Sequence, residues 1–379
     1  MTDLRLGMKI YDNSWFLRHG LEPEQAADLL ADMSVSFVIT QSQYLPMADS
    51  AVESTVRPED AERYAQIDDI GFRNALRDRN IGYFACLNIG FDPVFAGQHP
   101  DLLPLDQFGR KMAQQDWYIG MSPDRAENIA HKANLLARAT EALDPDGVHL
   151  GFIRWPGFWE TWLPDVWRAR MPEYGFDRAT LERFCAASGA DLPVNDPLRS
   201  AARIYERHRD AWRDWKCSVT VEAIAALRAA VHGVKPGIPF AINTLPFFQT
   251  DFDNAVEEVF GQDIARLSDV VEVFEVMAYH QIMGREPEWP AAVATDIRGR
   301  ARGSRAICTL QANALYLDGM HKDRGRREVL DAVEFSAAVD RVEASPADGL
   351  CVFTLSDFLD MKDSEQGARK IERLRHFRR

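Results

Sequence analysis

Metal-ligand spacing is missing from this chain. None of its nine histidines stands at i, i+4 or His-x-His distance from another, the pattern by which one helix or strand offers two ligands to an ion. A phosphate cradle is missing as well. Gly147-Val148-His149-Leu150-Gly151 has neither the lysine nor the following helix start of a P-loop. No Gly-x-Ser-x-Gly elbow presents a serine nucleophile. The five cysteines (Cys86, Cys185, Cys217, Cys308, Cys351) are odd in number and widely spaced, which argues against a disulfide framework and fits a reducing compartment. No apolar run approaches membrane-spanning length, and the opening MTDLRLGMKIYDNSW has no charged head before an apolar stretch. Positive charge is in deficit: 44 basic residues against 58 acidic ones leave −14, a balance repelled by nucleic acid and anionic membranes. The expectation is a soluble cytoplasmic protein that needs no cofactor or metal and binds neither nucleic acid nor membrane. Self-association stays open.

Apolar material is plentiful: 46% of the 379 residues are hydrophobic, with nine tryptophans and 21 phenylalanines. Strand-like runs fall at 6–11, 36–40, 83–89, 148–153, 239–245, 270–279, 306–310 and 350–355. Helical patterns stand between them, such as Ala26, Leu29, Leu30 and Met33 after Pro23. Ser122-Pro123-Asp124 reads as a helix start, and helices are expected at 290–302, 327–344 and 365–375. Eight β-then-α units without a composition break predict a single (β/α)8 barrel over residues 1–379, with insertions after strands two to five.

Such barrels place function just past the carboxyl ends of the strands. The most unusual strand end is the fourth, where Val148–Ile153 breaks into Arg154-Trp155-Pro156-Gly157, followed by Trp159, Glu160 and Trp162. Indole faces beside one guanidinium and one acid suit a saccharide, since flat rings stack on the C–H faces of sugars. The alternative is a tryptophan cluster that packs a long loop on the rim. Glu275 is the most informative single residue. Strand alternation sets it with Met277 and Tyr279 on one face, and burial there raises a carboxyl pKa toward a general acid's. A structural ion pair, with Arg154 for example, is the competing reading. Glu272 is expected to meet the outer helices. Asp12, Asp92 and Asp357 follow strands and serve equally well as helix caps or turn formers.

Three segments resemble a family of (β/α)8 proteins classed by homology as glycoside hydrolases. His99–Pro123 is similar to the family's insertion that ends in an aromatic and a helix start. Asp146–Pro156, DGVHLGFIRWP, is similar to its strand-four pattern DGVhLDFIRYP. Val273–Arg285, VFEVMAYHQIMGR, is similar to its strand-six pattern VFSPMxYHxMxGR. The resemblance implies cleavage of a glycosidic bond by paired carboxylates. Two departures stand out: Gly151 replaces the family's aspartate, and Glu275 stands where many members have serine. The reading is therefore a glycosidase with Glu275 as proton donor and Asp12 or Asp92 as second carboxylate, Glu160 in reserve. Asn88, Arg154, Asn243, Tyr279, His280, Gln311 and Asp357 would hold the sugar, with Trp15, Trp117, Trp155 and Trp159 as stacking surfaces. The rivals are a barrel that binds sugar without cleaving it, motivated by Gly151, and a carbohydrate lyase or isomerase.

Overall fold

The computed structural model describes residues 3–11, 13–45 and 61–377. Its eight strands are β1 (Leu6–Ile10), β2 (Phe37–Thr40), β3 (Gly82–Asn88), β4 (Gly147–Gly151), β5 (Phe240–Thr244), β6 (Val273–Met277), β7 (Arg305–Gln311) and β8 (Gly349–Phe353). They pair in parallel and in sequence order, and β8 returns to β1 through Leu6 and Leu350 to close the barrel. The principal helices, one after each strand, are α1 (Pro23–Asp32), α2 (Asp69–Asp78), α3 (Ala126–Leu143), α4 (Arg209–Val234), α5 (Ile264–Leu267), α6 (Trp289–Arg300), α7 (Ala332–Glu343) and α8 (Glu365–Arg375).

Runs such as FVIT in β2 and GYFACLN in β3 are buried at every position, because a parallel strand is covered on both faces. Outward residues, among them Met8, Val38, Phe274 and Val276, join one large cluster with the helices. Each fully buried side chain of this kind contributes about 1.5–3 kcal/mol. Inside the ring, Phe37 and Phe84 fill the lower barrel with Ile39, Cys86, Ala241, Val273, Ile307 and Cys351. Glycines make room for the two rings: a Cβ on Gly7 or Gly147 would come within 2.2 Å of Phe37 or Phe84.

Local chemistry sets the helix ends. Proline opens α1 behind a Glu22/Gln25 capping box. Asp68 accepts from Gly71 N at 2.7 Å at the start of α2, and Ser364 from Gly367 N at 3.0 Å at the start of α8. Ser122-Pro123-Asp124 is not the helix start expected; α3 begins at Ala126, after Arg125 has turned in to bond Leu102 O, Asp124 and Asp177. The helical stretch Pro197–Val234 is long and apolar enough by length and composition to cross a membrane. In the fold α4 lays Trp212, Cys217, Ile224, Leu227 and Val231 into buried positions, and it packs along α3.

Long connections follow β3, β4 and β5, as expected; the insertion expected after β2 lies partly outside the described residues. A further one, 312–331, follows β7 where a helix was expected from 327; α7 starts only at Ala332. From this unexpected loop Tyr316 reaches the cavity at the barrel mouth.

Candidate active site

Alternation along β6 stacks three layers inside the barrel. Val273 belongs to the apolar filling, Glu275 lies one pleat higher, and Met277 is on the wall of a cavity at the carboxyl end of the strands. The cavity holds about 260 Å³ and is walled by Lys9, Tyr11, Asn88, Phe91, Trp117, Phe152, Trp159, Glu160, Asn243, Met277, Tyr279, Tyr316 and Phe353. Among the described residues every strand but β2 therefore sends a residue from its end or from the loop that follows it, β7 through Tyr316 of the 312–331 loop.

Glu275 is fully buried beneath this floor. Both of its oxygens accept from Lys9 Nζ at 3.0 Å, Oε2 also meets His149 Nε2 at 3.0 Å, and Thr309 Oγ1 donates to Oε1 at 2.5 Å. Burial alone would raise its pKa, but Lys9, His149 and Thr309 outweigh it and hold the carboxyl down at about 2. That corrects the expectation of a raised pKa: a carboxylate so held has no proton to donate at neutral pH. The competing ion-pair reading was right in kind, although the partner is Lys9 and not Arg154. His149 is opposed by burial, yet Cys86 (Sγ 3.2 Å from Nδ1) and Glu275 pull it up to about 9. Glu272 meets Arg228 of α4 at 2.6 Å, as expected.

Glu160 has the opposite environment. The loop after β4 winds into a single helical turn, Trp159–Thr161, that lays Trp159 and Glu160 against the cavity. Tyr316 Oη donates to Oε1 at 3.4 Å, while Oε2 has no partner among the described residues. Burial dominates and pushes the carboxyl up to about 7, against the pull of its own backbone N–H, Arg154, Tyr316 and Arg326. A carboxyl balanced near neutrality, in a cavity, with one oxygen free, has the properties of a proton donor.

Six of the candidate residues meet here: Asn88, Trp117, Trp159, Glu160, Asn243 and Tyr279. Asn243 accepts from Phe152 N at 3.1 Å, which fixes the turn after β4. Trp117 lies edge-on to Phe91 and Phe158 and parallel to Tyr316 at 6.5 Å.

The others lie elsewhere. Asp92 is a helix cap: it accepts from Phe95 N at 2.9 Å and pairs with buried Lys132. Trp15 stacks on Phe72 at 4.8 Å under the helices. Trp155 is buried among Trp212 and Trp215 and donates Nε1 to Lys216 O at 3.1 Å. His280 turns outward to Glu334 of α7 at 2.9 Å. Gln311 bonds Asn313 O at 2.8 Å, and Asp357 caps the short helix Leu355–Met361 by accepting from Thr354 N. Arg154 lies just behind the cavity, its guanidinium 4.9 Å from the Phe152 ring. Asp12 falls outside the described residues. The tryptophan loop is thus divided, with Trp159 facing the cavity and Trp155 and Trp162 packing the rim.

Gly151 has a spatial explanation. A Cβ there would lie 2.2 Å from Asn88 Oδ1, so the Asn88 amide occupies the space that an aspartate at position 151 would need. Sequence reading missed the wall residues Lys9, Tyr11, Phe91, Phe152, Met277, Tyr316 and Phe353, and His149 beneath them. Lys9 was legible in principle, because a lysine among LGMKI must be buried and paired. Tyr316 carries no signal, since it stands in a stretch with neither strand alternation nor helical spacing. Among the described residues no group of three or more His, Cys, Asp or Glu side chains is placed to hold a metal ion.

No protein-family model and no curated protein sequence matches the chain. Solved structures do. The PgaB (BpsB) glycoside hydrolase domain from Bordetella bronchiseptica superposes with a TM-score of 0.65 at 17% identity, covering 97% of this chain and 98% of that one. The catalytic domain of β-amylase from Paenibacillus polymyxa gives 0.61 at 12% identity, over 98% and 97%. A β-galactosidase from Marinomonas ef1 gives 0.57 at 11% identity over 93% of this chain, which spans 54% of that enzyme's length. At these identities the likeness is one of fold: the chain has the (β/α)8 barrel that these glycoside hydrolases have.

Proposed function

We propose that the chain is a glycoside hydrolase with Glu160 as the proton donor to the leaving oxygen. The observation that carries this reading is the Glu160 carboxyl itself, facing a ring-lined cavity with one oxygen free and its pKa pushed up to about 7. The volume of about 260 Å³ lies below the ~300–1,000 Å³ of drug-sized ligand sites, so the cavity accommodates one sugar ring and favours removal of a terminal residue over cleavage within a chain. Trp117, Trp159 and Tyr279 offer apolar faces to the ring, and Asn88 and Asn243 offer amides to its hydroxyls. Glu275 drops from the acid's role and becomes the counter-ion that fixes Lys9. Asp12 directly follows cavity residue Tyr11 in sequence, and on that adjacency alone it is the candidate for the second carboxylate.

One observation favours a binding barrel without turnover: among the described wall residues Glu160 is the only carboxylate, and Asn88 fills the space of the family's strand-four aspartate. Hydrolysis of a panel of aryl glycosides separates the two. Turnover that falls about a hundredfold or more in Glu160→Gln, with saccharide binding retained, supports the hydrolase. Binding without turnover of any glycoside by the unaltered protein supports the other reading. Asp12→Asn tests the second carboxylate by the same assay.

A further inference from the structure

The whole chain carries −14, yet cations gather at its cavity, one on the wall and the others behind it. Lys9 is on the wall, and the carboxylate that holds it, Glu275, is shared with His149. Arg154 is buried, and all three of its guanidinium nitrogens are without hydrogen-bond partners among the described residues. Its neighbour Phe152 lies on the guanidinium on one side and lines the cavity on the other. Arg326 donates to the backbone oxygen of Glu160 at 2.6 Å, and its Nη1 has no partner among the described residues. Against Lys9, His149, Arg154 and Arg326 stand Glu275, already committed, and Glu160, which is only half ionised near pH 7. A buried guanidinium without a partner is costly. A negatively charged ligand would offset that cost.

We propose that the cavity selects sugars carrying a carboxylate, of the uronic-acid class, with Lys9 contacting the acid group and Arg154 stabilising it from behind Phe152. The inference rests on the reading of the cavity as a saccharide site and adds the substrate's charge to it. Carboxylate is favoured over phosphate by size and charge. The cavity leaves little room beyond one ring and a planar substituent, and a single negative charge matches the one ammonium on the wall. Lys9 has two N–H···O contacts to one carboxylate, which leaves donor capacity for a ligand. Arg154 does not touch the cavity in this structure and acts as a positioning residue through its field.

The test uses the full chain. Calorimetry compares D-glucuronate and D-galacturonate with D-glucose, D-galactose and glucose 6-phosphate, and turnover is measured on the matching aryl uronides and neutral aryl glycosides. At least one uronate is expected to bind tenfold or more tighter than its neutral counterpart. That preference should fall about tenfold in the charge-balanced pair Lys9→Met with Glu275→Gln, which avoids stranding the glutamate. Arg154→Gln, a second variant away from the wall, should reduce it severalfold. Equal or weaker binding of both uronates, including none, overturns the proposal, as does a preference for the phosphorylated sugar or a uronate preference unchanged in both variants. Hydrolysis of neutral glycosides alone leaves the hydrolase standing without this inference. Tight uronate binding with no hydrolysis leaves the inference standing without the hydrolase.

Discussion

Replacing Glu160 by glutamine should make the protein more stable and less active at once. Burial holds the Glu160 carboxyl at about 7, against an ordinary 4.5. The folded state thus keeps the proton more tightly than the unfolded state between those values. The stability this contributes is fully present below pH 4.5 and is lost as pH rises through 7. The gap corresponds to about 3 kcal/mol, at 1.36 kcal/mol per pH unit, and it already includes the attraction of Arg154 and Arg326. Glutamine has nearly the same shape and never ionises. The two proteins should therefore be nearly equal at pH 4 and differ by about 3 kcal/mol in the variant's favour at pH 8. Urea unfolding followed by tryptophan fluorescence across that range measures the difference. If Glu160 is the proton donor, activity in the unaltered protein falls tenfold per pH unit above about 7, and the variant retains about a hundredth or less. A stability difference that does not vary with pH, or a variant less stable at pH 8, would refute the reasoning about burial. Full activity in the variant would refute the role.

Other substitutions separate structure from chemistry. Asp92→Asn should cost roughly 3–5 kcal/mol by leaving Lys132 buried without its carboxylate, while activity per folded molecule is unchanged; thermal melts and active-fraction assays read both. Glu275→Gln should destabilise by a similar amount, because it strands Lys9 and His149 together. The sign follows from the two groups. Glu275, held at about 2, stabilises above pH 4.5 and loses that contribution as pH falls through 2; His149, raised to about 9, stabilises below 6.5 and loses it as pH rises through 9. In the variant the His149 ring should titrate well below 9 by NMR, and an unchanged titration would remove Glu275 as its partner. Gly151→Ala should raise KM with little loss of fold, because the new Cβ must push the Asn88 amide out of the cavity wall; an unchanged KM would mean that Asn88 does not bind substrate.

The ring of strands was legible because its signal is repeated: eight apolar runs, each with an outer helix. The site was half legible, and the failures share a physical cause. Strand parity correctly set Glu275, Met277 and Tyr279 facing inward, but parity gives direction and not height. One pleat separates a carboxyl that lines the cavity from one enclosed by Lys9, His149 and Thr309. Whether the pKa of a buried carboxyl ends up raised or lowered depends on partners, here from β1, β4 and β7, which lie 266, 126 and 34 residues away in sequence. Nothing local to VFEVM reports them. Aromatics were ambiguous for the same reason: Trp155 and Trp159 differ by four positions, yet one donates to Lys216 O in a dry cluster and the other faces the cavity.

Gly151 shows how far a family pattern reaches when read one position at a time. Taken alone, a glycine where the resembling strand-four pattern has aspartate argues for a barrel without that chemistry. In the folded protein β3 and β4 are paired at that level, Asn88 beside Gly151, so the two positions compete for one volume. The amide fits because the glycine leaves space for it, and neither residue can be assigned a consequence without the other. The carboxyl that lines the cavity, Glu160, meanwhile comes from the loop nine residues further on, where its backbone oxygen is anchored through Arg326 to the 312–331 connection. If that is where the proton donor resides, the substitution of Gly151 by aspartate should not create or restore activity. It should lower activity by displacing Asn88, and paired with Asn88→Ala it should recover binding but not exceed the unaltered turnover. A Gly151→Asp protein more active than its parent would show that the strand-four position, and not Glu160, governs the chemistry.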